Sequence, residues 1–219
     1  MSEIPIITID GPVASGKGTV ARMLAQALGF HCLESGLLYR LVAFLAEEKG
    51  VPWDDEMILA EIAEHLDLSR LEDNHLRLLI QDEPIGRLAS RVAAFERVRQ
   101  ALIPVQRQAK KFPGLVAEGR DMGTVIFPEA KLKVFLTASV EARAQRRLNQ
   151  LMDQGKNVNL VDLLQEIASR DARDKSRGIA PLHPAKDAWV VDTTAMSAEE
   201  VVKAILRRTQ RLGIDKEIN

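Results

Sequence analysis

Apolar and polar residues along the chain fall into two alternating patterns. Short apolar runs rich in β-branched residues have lengths that suit strands rather than helices. These runs lie at residues 4–9, 31–33, 114–117, 132–136 and 188–191. Between them, apolar residues recur at three- and four-residue intervals, which predicts helices at 19–28, 37–49, 54–67, 140–152, 160–176 and 197–208. Ser35 lies where an N-cap of the second helix belongs, and Ser197 with Glu200 matches a capping box at the start of the last one. The alternation of strands with helices predicts an α/β fold built on a parallel, doubly wound sheet.

Residues 35–112 depart from this alternation. The interval is polar and mainly helical, with two helical pieces predicted in 86–111 and Pro104 as a start or a kink. One strand is predicted, at 75–80, where every second residue is leucine or isoleucine, and the sequence DEP that follows is predicted to break it. The interval therefore indicates an excursion from the sheet that could cover a second substrate.

The sequence GPVASGKGT at residues 11–19 stands between the first predicted strand and the first predicted helix. This arrangement is typical of a P-loop, in which glycines let backbone N–H groups and the helix N-terminus approach a polyphosphate. Lys17 supplies a mobile positive charge for the β- and γ-phosphates. The motif predicts that the phosphates of a nucleoside triphosphate, such as ATP, are bound by Gly11, Pro12, Val13, Ala14, Ser15, Gly16, Lys17, Gly18 and Thr19.

The residues after Lys17 bear on the metal that accompanies ATP. The usual motif places Ser or Thr directly after the lysine, whereas Gly18 intervenes here and Thr19 follows. We therefore expect Mg²⁺ to be held mainly by phosphates, waters and Thr19. Glu118, at the end of the apolar run 114–117, is placed to orient a water bound to the metal. In a protein with no phosphate loop, Glu118 would be interpreted as an ordinary carboxylate at the end of a strand.

Composition narrows the class of protein further. The 219 residues fit one domain with a core, and 46% hydrophobic with 28% charged residues is near the globular average. No apolar run approaches a membrane span, and the N-terminus predicts no signal peptide. The single cysteine, Cys32, excludes an intrachain disulfide, suits a reducing cytoplasm and is predicted to be a buried structural thiol. The net charge of −1 gives no general affinity for nucleic acid.

Several arginines lie at segments that a P-loop sheet would bring to its carboxyl edge. They are Arg40, Arg99, Arg120 and Arg177. A planar guanidinium can make two parallel, charge-assisted hydrogen bonds to a phosphate. On the helix at 160–176, the spacing of Arg170, Asp174 and Arg177 places all three on one face. By itself, a charged run of this kind is typical of a solvated, salt-bridged helix surface.

Motifs in order along the chain resemble those of bacterial cytidylate kinases, members of the nucleoside monophosphate kinase family. They are ITIDGP, SGKGT, VAAF, GLVAEGRDMGTVIFP, SRDARDKSR and VVDTT. The resemblance implies a P-loop three-layer fold in one kinase unit, with a core at 1–34, 113–150 and 178–219. It also implies a monophosphate-binding portion at 35–112 and a mobile helical lid at 151–177. Such an enzyme transfers the γ-phosphoryl group of ATP to CMP or dCMP.

The resemblance also implies residue roles, of which Lys17, Arg120 and Arg177 would be the catalytic ones. The phosphate of the acceptor CMP or dCMP would be bound by Arg40, Arg120 and Arg177, and Ser35 would lie beside the same nucleotide. The cytosine would be bound by Ser90, Arg99 and Asp121. The sugar hydroxyls would be bound by Arg170 and Asp174. A carboxylate can accept from the cytosine amino group and an arginine can donate to its ring nitrogen and carbonyl, whereas uracil presents the reverse pattern. Arg143 and Arg147 could reach the ATP phosphates or lie on a solvated surface.

One segment departs from the family pattern. Between the predicted strand at 75–80 and VAAF at 92–95, the chain is shorter than the family's usual insert, and the compressed segment QDEPIGRLAS ends at Ser90. Ser35, Ser90 and Cys32 each lack a histidine base suggested by the sequence, so we expect no covalent nucleophile. We expect direct in-line transfer by positioning and charge neutralisation, with lid closure excluding water. We expect a monomer that binds ATP and CMP or dCMP, and neither nucleic acid nor membrane.

Three other functions fit parts of the sequence. A kinase for another small molecule, such as UMP, AMP or shikimate, would share the phosphate loop but not the GRDMG and RDARD motifs. A P-loop switch or binding module would act through a protein partner. A nucleic-acid-binding ATPase is disfavoured by the near-neutral charge and by the 4% aromatic content, which offers little stacking surface.

Overall fold

A computed structural model describes residues 3–214. Its sheet contains β1 (Ile6–Asp10), β2 (His31–Glu34), β3 (Leu115–Gly119), β4 (Leu132–Thr137) and β5 (Trp189–Asp192) in the order β2-β3-β1-β4-β5. β1 pairs in parallel with β3 and with β4, and β4 pairs in parallel with β5. The predicted α/β fold with a central parallel sheet is therefore confirmed, and β1 lies at its middle, where all five of its residues are buried.

Helices connect and flank these strands. They are α1 (Lys17–Leu28), α2 (Ser35–Glu48), α3 (Glu56–Glu64), α4 (Asn74–Ile80), α5 (Glu83–Val92), α6 (Glu96–Arg107), α7 (Val140–Asp153), α8 (Leu160–Ser176) and α9 (Ala198–Arg211). A 3₁₀ turn spans Leu68–Glu72 and a π-helical turn spans Met122–Ile126. Within residues 3–214, none of the helices combines the length and apolar character that crossing a lipid bilayer would need.

The chain divides into two compact units. The first unit comprises the described residues up to 33 and from 110 onward, and the second unit comprises Glu34–Ala109. In the first unit, α1 and α9 pack together against the sheet, with Leu24 and Ile205 completely buried beside Ile7, Ile9 and other strand residues. This packing buries apolar residues of β1, β3 and β4, such as Val116 and Val134, in the core below the carboxyl end of β1.

The second unit is built from helices. α2 packs against α5 and α3 packs against α6, which buries Leu41, Leu59 and Leu102 completely. The predicted break at the sequence DEP instead starts α5, with Pro84 in the first turn, where its missing N–H costs no helical hydrogen bond. Pro104 lies inside α6 and does not begin it. The prediction of two helical pieces in this region matches α5 and α6.

The predicted strand at 75–80 is wrong, because these residues form α4. The Asp73 side chain accepts a hydrogen bond from the backbone N–H of His75 and so caps the helix. Leu76 and Ile80, four residues apart, are buried, whereas Leu78 is 68% exposed. The alternating leucines that suggested a strand thus also contain the spacing of a helix with one buried face, and leucine favours that helix.

Two predictions about single residues near the junction of β2 and α2 are also wrong. Ser35 does not cap α2, because it is the helix's first residue and Glu34 occupies the cap position, where its side chain makes no capping hydrogen bond. Cys32 is exposed on β2 rather than buried. β2 is a short strand at the end of the strand order, and its residues are less covered than those of β1.

Helix α9 begins with the predicted capping box. Ser197 Oγ accepts from the backbone N–H of Glu200 at 3.2 Å, and Glu200 Oε2 accepts from the backbone N–H of Ser197 at 2.8 Å. Replacing Ser197 by Ala leaves the first turn of α9 with an unpaired N–H, so we expect the free energy of unfolding to fall by about 1 kcal/mol. Urea unfolding measures this change. Lys203→Ala, on the exposed face of α9, is the matched control, and an equal loss there would contradict the capping role.

Candidate active site

The phosphate loop joins the carboxyl end of β1 to α1, which begins at Lys17. A Cβ on Gly11 would lie 2.1 Å from the backbone oxygen of Leu136, so only glycine fits where the loop leaves the sheet. Gly16, before the helix, has a φ of 89°, a left-handed conformation that glycine adopts without strain. The sequence thus places the N-terminus of α1 and the loop backbone as a cradle for an anion.

Lys17 lies buried inside this cradle. Its Nζ donates to the backbone oxygen of Pro12 at 2.8 Å. Burial, together with the nearby positive charge of Arg120, lowers the pKa of Lys17 to about 7, while Glu118 acts in the opposite direction. A phosphate placed here would supply the counter-charge that the buried ammonium needs, and would favour its protonated form.

A cavity of about 420 Å³ adjoins the phosphate loop. Its wall includes Ala14, Ser15, Gly16 and Thr19 from the loop and α1, Arg147 and Gln150 from α7, and Met196, Ser197 and Ala198 before and in α9. The Oγ of Ser15 is buried and has no hydrogen-bond partner among the described residues. A cradle of backbone N–H groups opening into a cavity of this size has the form of a site for a nucleoside polyphosphate.

Arg146 and Thr193, which also line this cavity, were not singled out in the sequence. Arg146 donates to the Oγ1 and the backbone oxygen of Thr193 and, at 3.3 Å, to the backbone oxygen of Met196. Thr193 Oγ1 in turn donates to the backbone oxygen of Thr137 at 3.1 Å. This network fixes the segment after β5 as part of the cavity wall. The sequence gives no sign of this hydrogen-bond network, because it depends on α7 and β5 lying close together in the fold.

The two arginines predicted to reach ATP phosphates differ in their surroundings. Arg147 is half-buried, lines the cavity and donates to Gln150 Oε1 at 2.7 Å. Arg143 is 3% exposed and donates to the backbone oxygens of Ala138 and Val13 and to both oxygens of Asp171. Four of its five N–H groups are thus bound within the protein. The ATP contact therefore remains a prediction for both residues, and Arg147 has the more accessible donors.

The first unit brings three of the predicted acceptor residues into contact. Arg120 Nε donates to Asp174 Oδ2 at 2.9 Å, and Arg177 Nη2 lies 2.6 Å from Asp174 Oδ1. Burial alone would raise the pKa of Asp174, but the charges of Arg120 and Arg177 hold it below its usual range. Arg170 is close enough to both Asp174 and Lys17 to affect their pKa values. Together these guanidiniums make a concentration of positive charge beside the phosphate loop.

Asp10 is a buried acidic residue directly before the phosphate loop. No motif in the sequence indicated a role for it. Its two oxygens accept hydrogen bonds from the backbone N–H groups of Met122 and Gly123, at 2.9 and 2.8 Å. These residues begin the π-helical turn, in which the backbone N–H groups of Val125 and Ile126 donate to the backbone oxygen of Asp121. Asp10 therefore attaches the segment that carries Arg120 and Asp121 to the end of β1, across 112 residues of sequence.

Asp10 makes the stability of the ligand-free protein depend on pH. Burial raises the pKa of Asp10 to about 7, with the nearby Asp121 contributing in the same direction and the two N–H groups opposing it. The native state then holds a proton that the unfolded state has lost between pH 3.8 and about 7. The free energy of unfolding therefore falls as pH rises through that window, by an amount on the order of 4 kcal/mol at most.

Asp10→Asn removes this titration, so the variant should gain stability relative to the wild type as pH rises from about 5 to about 8. Urea unfolding of both proteins across this range gives the difference at each pH. The matched control is Asp187→Asn, because the hydrogen bond from Lys133 lowers the pKa of that exposed carboxylate. The difference in the free energy of unfolding between Asp187→Asn and the wild type should stay constant over the same range. A constant difference for Asp10→Asn would contradict the assignment.

The second unit contains the other predicted acceptor residues. Ser35 is buried in the first turn of α2, and one turn later Arg40 Nη1 donates to the backbone oxygens of Ile80 and Asp82. Ser90 is buried in α5, and its Oγ has no partner among the described residues. Arg99, buried in α6, donates to the backbone oxygen of Ala93 at 3.3 Å and lies over the Tyr39 ring.

A larger open groove of about 940 Å³ lies between α3 and α6 of the second unit. None of the predicted site residues lines it. Its wall carries four carboxylates, those of Glu56, Glu61, Glu64 and Glu96, and one arginine, Arg97. A surface with this excess of negative charge is unsuited to a nucleotide phosphate. The phosphate loop and its surroundings therefore remain the candidate active site.

The metal predicted to accompany ATP requires hard oxygen ligands. Thr19, exposed at the cavity, and Glu118, half-buried and close enough to raise the pKa of Lys17, offer a hydroxyl and a carboxylate. Among residues 3–214, no group of three or more His, Cys, Asp or Glu side chains is arranged to hold an ion by itself. This donor set fits Mg²⁺, which commonly binds one or two protein oxygens, several waters and substrate phosphates.

The parallel sheet, the phosphate loop and the guanidiniums beside Lys17 define a P-loop phosphotransferase. The sequence profile of the family described as Cytidylate kinase matches residues 7–211. The chain belongs to the cytidylate kinase family, which confirms the resemblance seen in its motifs.

Individual relatives agree with this assignment. The chain is 51% identical over 212 residues to a protein named cytidylate kinase from Cupriavidus pinatubonensis, covering 94% of this chain and 96% of the relative. It is 51% identical over 209 residues to one of the same name from Bordetella bronchiseptica, covering 92% and 93%. The solved structure of an uncharacterized protein from Eubacterium ventriosum aligns with a TM-score of 0.56 at 14% identity, covering 96% of this chain and 99% of that one. That last likeness concerns the fold alone.

Proposed function

We propose that this chain transfers the γ-phosphoryl group of ATP to CMP and dCMP, forming CDP and dCDP. Membership of the cytidylate kinase family supports this reaction. The observation that carries the proposal is the cluster of Arg120, Asp174 and Arg177 in the same unit as the phosphate loop. Arg120 and Arg170 act on the pKa of Lys17, so a second anion held by these guanidiniums would lie near the donor phosphates.

The donor would be held by the phosphate loop and the adjoining cavity. Backbone N–H groups of residues 11–19 and the N-terminus of α1 would bind the β- and γ-phosphates, with Lys17 leaving the Pro12 oxygen to do so. The cavity beyond the loop, with Arg147 in its wall, would take the nucleoside. Thr19 and, through water, Glu118 would hold Mg²⁺, whose positive charge helps to neutralise the transferred phosphoryl group.

The acceptor residues of each unit are assigned as follows. In the first unit, Arg120 and Arg177 would bind the acceptor phosphate, Asp121 would accept from the cytosine amino group, and Arg170 and Asp174 would bind the sugar hydroxyls. In the second unit, Arg40 would bind phosphate, Ser35 would contact the nucleotide, and Ser90 and Arg99 would bind the base. The Oγ of Ser90 is buried and finds no hydrogen-bond partner within residues 3–214, which supports its part, because buried hydroxyls ordinarily have a partner.

These residues indicate direct in-line transfer. Arginine forks and the lysine neutralise charge on the transferred group, and the fixed backbone holds donor and acceptor in line, so no covalent intermediate is needed. Asp174 would also keep Arg120 and Arg177 spaced and oriented before the acceptor arrives. We further propose that the enzyme is a cytoplasmic monomer, that residues 151–177 close as a lid, and that it needs neither nucleic acid nor membrane.

The experiment that tests this function is ADP release with each of four acceptors. The purified protein, ATP and Mg²⁺ are combined with CMP, dCMP, UMP or AMP, and ADP formation is coupled to NADH oxidation. We expect turnover with CMP and dCMP to exceed that with UMP and AMP. Turnover with UMP or AMP above that with CMP would overturn the acceptor assignment. Nucleotide hydrolysis without any acceptor dependence would instead favour a P-loop switch.

A further inference from the structure

Arg143 occupies a junction between the phosphate loop and α8. Its Nη1 donates to the backbone oxygen of Val13, in the middle of the loop, at 3.1 Å. The same guanidinium binds Asp171 with two hydrogen bonds, of 3.0 and 2.5 Å, and both side chains are buried. Nε holds the backbone oxygen of Ala138 at 3.0 Å, which fixes the arginine to the end of β4. One side chain thus joins the donor loop to α8.

Apolar packing reinforces this junction. Ala144 and Leu151 of α7 and Leu163 and Ile167 of α8 form a buried cluster. Val13 and Ala14 of the phosphate loop pack against that cluster. The tip of the loop therefore rests on the α7 and α8 pair, and a displacement of the loop backbone would move the groups that Arg143 holds.

The other end of the connection is Asp174, one turn after Asp171 on α8. Asp174 pairs with Arg120 and Arg177, the residues assigned to the acceptor phosphate. Residues three apart on a helix lie on neighbouring positions of one face, and Asp171 and Asp174 are both buried. One helical turn thus links two carboxylates: Asp171 is held by Arg143, which binds the donor loop, and Asp174 is bound to the acceptor arginines.

We infer that Arg143 and Asp171 form a positioning pair that couples the donor loop to Arg120 and Arg177, so that ATP binding sets the acceptor site. The inference rests on the proposed function for the roles of those arginines. The bidentate geometry is essential to it, because a planar fork fixes the angle as well as the distance between α7 and α8, which a point charge does not. Neither residue needs to touch a nucleotide.

Linkage gives this inference a measurable form. If ATP binding prepares the acceptor site, CMP must bind more tightly when the donor site is filled, and ATP must gain by the same factor when CMP is bound. Isothermal titration calorimetry measures the CMP dissociation constant with and without saturating β,γ-imido-ATP and Mg²⁺. For the wild type we expect the constant to fall about fivefold or more when the analogue is present. A ratio near one for the wild type would overturn the inference.

Arg143→Lys keeps the charge but loses the fork, and Asp171→Asn keeps the shape but loses the charge. For each variant, and for the double variant, we expect the ratio to drop below about twofold, without a further drop in the double variant. Arg173→Lys, exposed on α8, is the matched control and should keep the wild-type ratio. A merely structural pair would lower the melting temperature of the variants and leave the ratio unchanged, which would overturn the inference.

A measurement on the wild type alone covers the case in which the variants do not fold. Hydrogen exchange is followed by mass spectrometry in the ligand-free protein and with β,γ-imido-ATP and Mg²⁺. We expect added protection in residues 119–126, the segment that carries Arg120, as well as in the phosphate loop and residues 167–176 of α8. Protection confined to the loop, the cavity and the proposed lid at 151–177 would overturn the coupling. CMP phosphorylation by the wild type separately decides the proposed function, so either statement can fail without the other.

Discussion

Lys17→Ala is expected to lower the turnover number for CMP phosphorylation about a hundred- to a thousandfold. The reason is the loss of the mobile positive charge that Lys17 places inside the phosphate cradle, where a preorganised donor stabilises charge that develops during transfer. Coupled ADP release at saturating ATP and CMP measures the loss. Thermal stability should not fall with activity, because burial disfavours the charged form of this lysine in the native protein.

Lys203→Ala, which removes an exposed lysine on α9, is the control for a general effect of charge. It should retain wild-type turnover. Transfer by folded Lys17→Ala at a rate near that of the wild type would show that the loop backbone and the arginines suffice, and would remove Lys17 from the proposed mechanism.

Asp121→Ala is expected to lower kcat/KM for CMP about ten- to a hundredfold while changing the ATP dissociation constant by less than about twofold. Removing the carboxylate deprives the cytosine amino group of its charged acceptor, and a hydrogen bond to a charged group contributes about 1.5–3 kcal/mol. Asp121 is buried, and its backbone oxygen, which starts the π-helical turn, is unaffected by the substitution. Initial rates over a range of CMP concentrations and calorimetry with ATP give the two values.

Asp121→Asn refines this test, because the amide can donate to the uracil carbonyl that replaces the amino group. The preference for CMP over UMP should therefore shrink in this variant. Asp187→Asn, on an exposed carboxylate of the same unit, should leave both substrates unaffected. Equal losses of CMP turnover and ATP affinity in Asp121→Ala would count against a role in reading the base.

The phosphate loop could be predicted from the sequence because each of its requirements is local. An apolar strand, glycines at fixed spacing and a lysine at the helix start are adjacent in the chain, and the structure has the strand, loop and helix in that order. The parallel sheet followed from the alternation of strands with helices. The error at α4 arose because leucines at every second position also include positions four apart, and the sequence alone does not show which of the two faces is buried.

Other features were beyond the reach of the sequence because their partners are distant. Asp10 precedes the loop but acts on backbone groups 112 and 113 residues later. Arg143 could be recognised as an arginine near a nucleotide site, yet its burial and its pairing with Asp171, 28 residues away, depend on how α7 packs on α8. The acceptor residues came from motif resemblance. Asp174 and Arg177 are three residues apart, whereas the pairing of Arg120 with Asp174, 54 residues away, depends on tertiary structure.

The exposed position of Cys32 has a practical consequence for measuring the association state of the enzyme. The chain has one cysteine, so a thiol on its surface can form a disulfide only with another molecule. Under air oxidation two copies can become covalently joined through β2, and the product would migrate as a dimer. Size-exclusion chromatography therefore needs matched runs with and without dithiothreitol. A dimer that disappears with reductant reports thiol oxidation, whereas one that persists reports genuine self-assembly.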